Sequence, residues 1–248
     1  MNLTLVAFYG PKPDPLTWLV DMLQSALRSE LGPAFFPYGM EQIHATIVGL
    51  EGWRIGGDVF NSNAVQAFGE SSAMDLHGLL LFMKEMPSFV VRFGGFTASG
   101  RYPFTSRELH PHDRSFAFNG STAVMLGWPV AGGTFPMTLN SLRRTCSRYN
   151  VLHKYFRKLG DTDNDLFLVL GRVDRESILE KKADSVQQAL REWLAGQEPV
   201  DILVESKDLS VVAYTDPQLP IFSSTRYSLD EALTQVEQLK LLYNDRAA

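Results

Sequence analysis

Ile43-His44-Ala45-Thr46-Ile47-Val48-Gly49-Leu50 is a run rich in β-branched and small apolar residues, broken by one histidine and one threonine. Such a run reads as a β-strand. Strand side chains alternate faces, so His44 and Thr46 point the same way. A histidine titrates near neutral pH, and a hydroxyl beside it donates a hydrogen bond. Together they can hold a phosphoryl oxygen and move a proton. The tripeptide alone is not specific, because a strand histidine is more often structural.

Upstream of this run, Asn2 to Tyr9 reads as a first strand, stopped by Gly10-Pro11-Lys12-Pro13. Asp14, with Pro15 behind it, suits the start of a helix carrying Leu16, Leu19, Val20, Leu23 and Leu27, which Gly32-Pro33 ends. Downstream come a Gly-rich loop with Trp53, a helix from Asp75 to Met86 and a strand at Phe89–Phe93. The segment from Thr97 to Arg114 is polar and turn-rich. Ser115–Phe118 and Ala123–Trp128 read as a hairpin joined through Asn119-Gly120.

The last third holds a helix from Pro136 to Asn150, then a strand, Leu166–Val173, after the acidic turn Asp161–Asp165. Asp174 is placed to cap a long helix reaching Ala195. Val200–Glu205 and Leu209–Thr215 read as strands closing a hairpin at Lys207-Asp208, and Ser228 starts a last helix to Tyr243. Strands that arrive as hairpins among helices predict an α+β fold. Its sheets are mixed or antiparallel, its helices lie outside, and residues 1–248 form one domain of two lobes or sheets sharing a core.

Hydrophobic residues make up 45% of the 248 residues and charged residues 21%, enough for a sizeable core. A formal charge of -5 and a pI of about 5.6 argue against a bulk electrostatic grip on DNA, though not against a local phosphate pocket. The N-terminus lacks the features of a signal peptide, and no apolar run is long enough to span a membrane. One cysteine, Cys146, forms no internal disulfide and reads as a structural thiol in a reducing, cytoplasmic setting.

His110-Pro111-His112-Asp113 is too loose a cluster to specify a metal. Arg101, Arg107 and Arg114 around it read as a solvated face, although their loop is long enough to cover a cleft. Arg143-Arg144 reads as a surface pair on its helix. No phosphate loop of the Gly-Lys-Ser/Thr kind and no Gly-x-Ser-x-Gly elbow is present.

Ile43-His44-Ala45-Thr46 resembles the first signature of the 2H phosphoesterases, the group that includes 2'-5' RNA ligases and cyclic phosphodiesterases. The order of elements from residue 1 to about 215 is similar as well. The resemblance implies a two-lobed fold around a central cleft, with two His-x-Thr/Ser strands facing it. It also implies metal-free acid and base chemistry on a cyclic phosphate, with no cofactor. His44 would move a proton and Thr46 would hold a phosphoryl oxygen.

The second signature aligns with Phe167-Leu168-Val169-Leu170-Gly171-Arg172, where Phe167 stands for histidine and Val169 for the hydroxyl residue. Only the Gly-Arg tail is kept, and Arg172 is the phosphate candidate there. His153 is the leading substitute for the missing imidazole, although its position better suits a solvent-facing helix end, the favoured reading. Two functions stay open. One is a divergent phosphodiesterase acting on a cyclic phosphate or a nucleotide or RNA end. The other is a pseudoenzyme that binds a small phosphorylated ligand over Phe167 and Val169.

Overall fold

A computed structural model describes residues 1–158 and 160–246. The chain opens with β1 (Asn2–Ala7), α1 (Asp14–Leu31), β2 (Phe35–Pro37) and β3 (Ala45–Gly49). Next come β4 (Gly52–Ile55), β5 (Asp58–Asn61), α2 (Ser62–Phe68), α3 (Leu76–Lys84) and β6 (Phe89–Phe93). The middle holds α4 (Pro111–Ser115), β7 (Phe116–Asn119), β8 (Thr122–Val130) and α5 (Thr138–Thr145). The rest is β9 (Leu166–Val173), α6 (Glu180–Gly196), β10 (Val200–Val204), β11 (Leu209–Tyr214), β12 (Thr225–Ser228), α7 (Leu229–Thr234) and α8 (Val236–Leu241).

The protein is α+β, and its strand ladders are antiparallel. Instead of two large sheets there is one ten-stranded sheet in the order β10-β6-β8-β9-β3-β1-β11-β12, with β2 on β9 and β7 on β8. A separate small hairpin, β4-β5, occupies the stretch read as a Gly-rich loop. The eight-strand path divides into two halves of four that meet at β9 and β3, with β2 and β7 added to the β9 half. Where the halves meet, the ladder narrows to one residue pair, Ala45 with Leu168.

One face of the sheet carries the main core. Leu3, Leu5, Ala45, Ile47, Leu166, Leu168 and Leu170 point into it, against Leu16, Leu19, Leu23 and Leu27 of α1. These positions repeat at helical spacing in α1 and at every second residue in the strands, which is why both elements form and why they meet. Burial at roughly 1.5–3 kcal/mol for each large aliphatic side chain drives the layer together. The other face holds two small apolar clusters, one per half: Val6, Tyr9, Val212, Tyr214 and Leu219, and Phe96, Val124, Leu126 and Trp128. The floor between them is the seam.

Several boundaries differ from the sequence reading. Asp14 lies in the first turn of α1, and Pro13 occupies the capping position. Asp174 caps a turn instead of α6, accepting from Glu176 N at 3.2 Å and from Ser177 Oγ at 2.5 Å, and α6 starts at Glu180. The expected hairpin of β10 and β11 does not form. β10 pairs with β6 at one edge, and β11 pairs with β1 in the other half. The last helix breaks at Gln235, although Ser228 and Glu231 do form its capping box.

The Gly171-Arg172 tail has a packing reason. The β8-β9 register shifts between Val124 and Ala123, which makes Leu170 an extra residue in β9. Its carbonyl takes both Tyr38 N at 3.0 Å and the buried Gln24 Nε2 at 2.7 Å. A Cβ at Gly171 would stand 2.5 Å from the carbonyl oxygen of Phe36 and 2.8 Å from Pro37 Cα. Gly171→Ala is therefore expected to loosen β2 from β9 and to cost roughly 1–3 kcal/mol. Urea unfolding of the variant beside wild type measures this, and an unchanged midpoint would contradict the close approach.

Candidate functional site

The pairing of Ala45 with Leu168 fixes the site. Both point into the main core, so the residues on either side of each point to the opposite face. Antiparallel order then sets Thr46 across from Phe167 and His44 across from Val169. The two stretches read as signatures lie side by side about the seam, and all four residues line one cleft of about 280 Å³. The cleft is further lined by Tyr38, Asn119, Thr122 and Gln218 near its His44 end. Arg143 comes from α5, and Arg107, His153, Lys154, Tyr155, Asp163 and Asp165 come from the loops before α4 and β9.

His44 sits one residue before β3. Its Nδ1 lies 2.6 Å from the carbonyl oxygen of Gln42, an acceptor, so Nδ1 carries the proton and donates it. Nε2 is left with a free lone pair. The ring is braced edge-on by Tyr9, with centroids 5.7 Å apart. Burial pushes the imidazole down to about 4; the Gln42 carbonyl opposes this and the charge of Lys12 adds to it. Lys12, itself lowered to about 8 by burial, is tied to the carbonyls of Phe8 and Gly10 at 2.8 and 2.9 Å. His44 is therefore neutral at pH 7.

This depression links to stability. The unfolded chain takes up the His44 proton near the ordinary value of 6.5, and the folded chain only near 4. The stability held by the neutral ring is complete above the higher value and is lost as pH falls toward the lower one. Between about pH 7.5 and about pH 4, the stability advantage of wild type over His44→Gln is expected to shrink by about 3 kcal/mol. Urea unfolding at the two pH values reads this, and an advantage that does not change with pH would contradict an imidazole held neutral in the folded chain.

His153 is not at a solvent-facing helix end. It is 3% exposed and lies in the cleft. Its Nε2 is 2.6 Å from Asp163 Oδ2, while its Nδ1 is buried with no partner among the described residues. Burial lowers the imidazole below its ordinary value; the Asp163 hydrogen bond opposes this and Arg143 reinforces it. Burial works to raise Asp163, but the bond from His153 and the charge of Arg143 hold it below the usual carboxylate range. The pair at neutral pH is thus a carboxylate accepting N–H from a neutral ring whose other nitrogen is a vacant acceptor.

Arg143 is likewise not a surface residue, being 2% exposed. Its guanidinium donates to the carbonyls of Ile47 at 3.0 Å, Thr46 at 3.0 Å, Asp163 at 3.1 Å and Asp165 at 2.9 Å. It also lies 3.5 Å from Asp163 Oδ1. One side chain from α5 therefore ties β3 to the strand entry of β9 directly over the seam. Asp165 accepts from Ser106 Oγ at 3.0 Å and from Arg114 at 3.4 Å. Burial and the neighbouring Asp163 raise its carboxyl.

Arg107 lines the cleft and Arg114 is paired, so the segment read as a solvated face reaches into the site through these two; Arg101 stays exposed. Arg172 does not line the main cleft. It pairs with Phe36 at the strand end and lines an adjoining hollow with Phe36, Ser121 and Asp174. His110 and His112 are held internally, His110 Nε2 by the Gly100 carbonyl at 2.9 Å and His112 Nδ1 by Asp113 at 3.0 Å. Among the described residues no group of three or more His, Cys, Asp or Glu side chains could hold a metal, and no helix is long and apolar enough to cross a membrane. Cys146 is buried, and burial pushes its thiol up to about 12.

No family model and no curated protein matches this chain. Among solved structures, the crystal structure of TT0787 of Thermus thermophilus aligns with 92% of this chain and 94% of its own, at 13% identity and a TM-score of 0.41. A likeness at that score carries no argument about function.

Proposed function

We propose that the protein is a 2H-type phosphodiesterase that opens a cyclic phosphate at a nucleotide or RNA end, with His153 and Asp163 standing in for the absent strand histidine. The observation that carries this reading is the vacant Nδ1 of His153, buried in the same cleft as the free Nε2 of His44 and the hydroxyl of Thr46. His44 is held in the tautomer of a base. Water attacks phosphorus as Nε2 of His44 takes its proton, and the bond from phosphorus to one ribose oxygen breaks. His153, protonated at Nδ1 when the anionic ligand is bound and supported by the Asp163 carboxylate, gives its proton to that oxygen. Thr46 donates to a phosphoryl oxygen.

Phe167 and Val169 favour a second reading. They make the middle of the cleft floor apolar, which suits a pseudoenzyme that binds a small phosphorylated ligand without turnover. Phosphorus NMR with 2',3'-cyclic nucleotides separates the two. Ring opening by wild type that is absent in His44→Ala supports the phosphodiesterase. Ligand broadening without opening, lost in His44→Ala, supports the binding protein. An inert spectrum with a folded protein overturns both.

A further inference from the structure

We infer that the cleft carries a second anion subsite, formed by Arg107 and Lys154 about the ring of Tyr155, so that its ligand bears a phosphate besides the one between His44 and His153. This rests on the reading of the cleft as a phosphate site. The ligand class it selects is the terminal nucleotide of an RNA chain, whose 5'-side phosphate adjoins the same ribose, in preference to a nucleoside cyclic monophosphate.

Arg107 stands at the tip of a two-residue turn closed by Ser106 N to Leu109 O at 2.9 Å and Leu109 N to Ser106 O at 3.1 Å. Arg107 and Glu108 both have positive φ, 50° and 66°. Asn-Gly pairs usually fill such turns, and other residues are strained there by roughly 1 kcal/mol each. The strain sets the Arg107 guanidinium 4.1 Å from the centroid of the Tyr155 ring, and Lys154 Nζ lies 4.8 Å from the same centroid. Two cations are thus gathered on one aromatic ring at the cleft wall.

Neither cation has an ion-pair partner among the described residues, whereas Arg114 is paired with Asp165 and Arg143 with Asp163. Around this end of the cleft four cations, Arg107, Arg114, Arg143 and Lys154, face the two carboxylates of Asp163 and Asp165. Arg107 and Lys154 are the two cations left over, one for each of two singly charged phosphodiesters: the cyclic phosphate and the chain phosphate on its 5' side. Burial works to raise the Tyr155 phenol, yet Arg107 and Lys154 bring it below its ordinary value. The His44 end offers the uncharged Tyr38, Asn119, Thr122 and Gln218 instead. The cleft is therefore charged at one end and polar at the other.

The test uses two probes that cannot undergo ring opening, adenosine 2'-phosphate and adenosine 2',5'-bisphosphate, titrated calorimetrically into wild type and the double variant Arg107→Gln/Lys154→Gln. Wild type is expected to bind the bisphosphate at least about tenfold more tightly, as charge-assisted bonds to an added phosphate imply. In the double variant the ratio is expected to fall to near unity. Equal binding of the two probes by wild type, or a preference that survives in the double variant, overturns the subsite. A preference in wild type without any ring opening of a dinucleotide ending in a 2',3'-cyclic phosphate keeps the subsite and removes the hydrolytic reading. Binding of neither probe removes both.

Discussion

Arg143→Met is expected to lower the thermal midpoint by roughly 10 °C. Removing one partner of a buried ionic cluster costs about 3–5 kcal/mol, and each kcal/mol moves the midpoint of a chain this size by about 2–4 °C. Methionine keeps most of the volume, so the loss is polar. The carbonyls of Thr46, Ile47, Asp163 and Asp165 lose their shared donor, and Asp163 loses its cation. Arg144, its neighbour on α5, makes a bond to the Asp161 carbonyl and rests on Phe156 with its Cζ 4.7 Å from the ring centroid. Arg144→Met should cost far less. Calorimetry of both variants decides the matter: an Arg143→Met midpoint within about 3 °C of wild type would mean that no buried ionic cluster spans the seam.

The second large effect is the one expected if the proposed phosphodiesterase reading holds, and it is on catalysis. His44→Ala and His153→Ala are each expected to lower kcat by about 10²–10⁴, the usual worth of one proton-transfer group. The double variant should lose much less than the product of the two, because the groups act as a unit. The pH profile has a defined sign. The base form of His44 is lost as pH falls through about 4. The acid form of His153 is scarce above its own value, which lies below 6.5. On that reading kcat/KM is expected to be highest at mildly acidic pH, while kcat, measured with an anionic ligand bound, is expected to extend toward neutrality. Phe167→His in the His153→Ala background, which returns an imidazole to the strand position, is expected to recover activity by about tenfold or more. A His153→Ala enzyme with the wild-type rate would remove His153 from the chemistry.

Much of the frame was legible because it is local. The β7-β8 hairpin follows from Asn119-Gly120, and Leu166–Val173 is bounded as its apolar run suggests. The face shared by His44 and Thr46 needed only strand alternation. What stayed hidden depends on distant partners. Lys207-Asp208 resembles a hairpin turn, yet β10 and β11 join opposite halves because their ladder partners, β6 and β1, are far away in sequence. Arg143 looked like a surface residue because its acceptors are backbone carbonyls, which no side-chain pattern reports. His153 looked solvated because its carboxylate, Asp163, lies ten residues on across an irregular loop. The β4-β5 hairpin did have a signal, the Gly56-Gly57 pair between two short apolar runs.

At the narrow joint between Ala45 and Leu168 the two walls of the cleft are held together more by side chains than by backbone bonds. Two stiff plates, of six and four strands, meet along a line with one ladder pair and one guanidinium across it. A tilt of one plate against the other alters the gap between their side chains while breaking few backbone bonds, whereas bending either plate would break many. A ligand lodged between His44 on one plate and the loop side chains carried by the other would act as a strut, its length opposing the closing of the two plates.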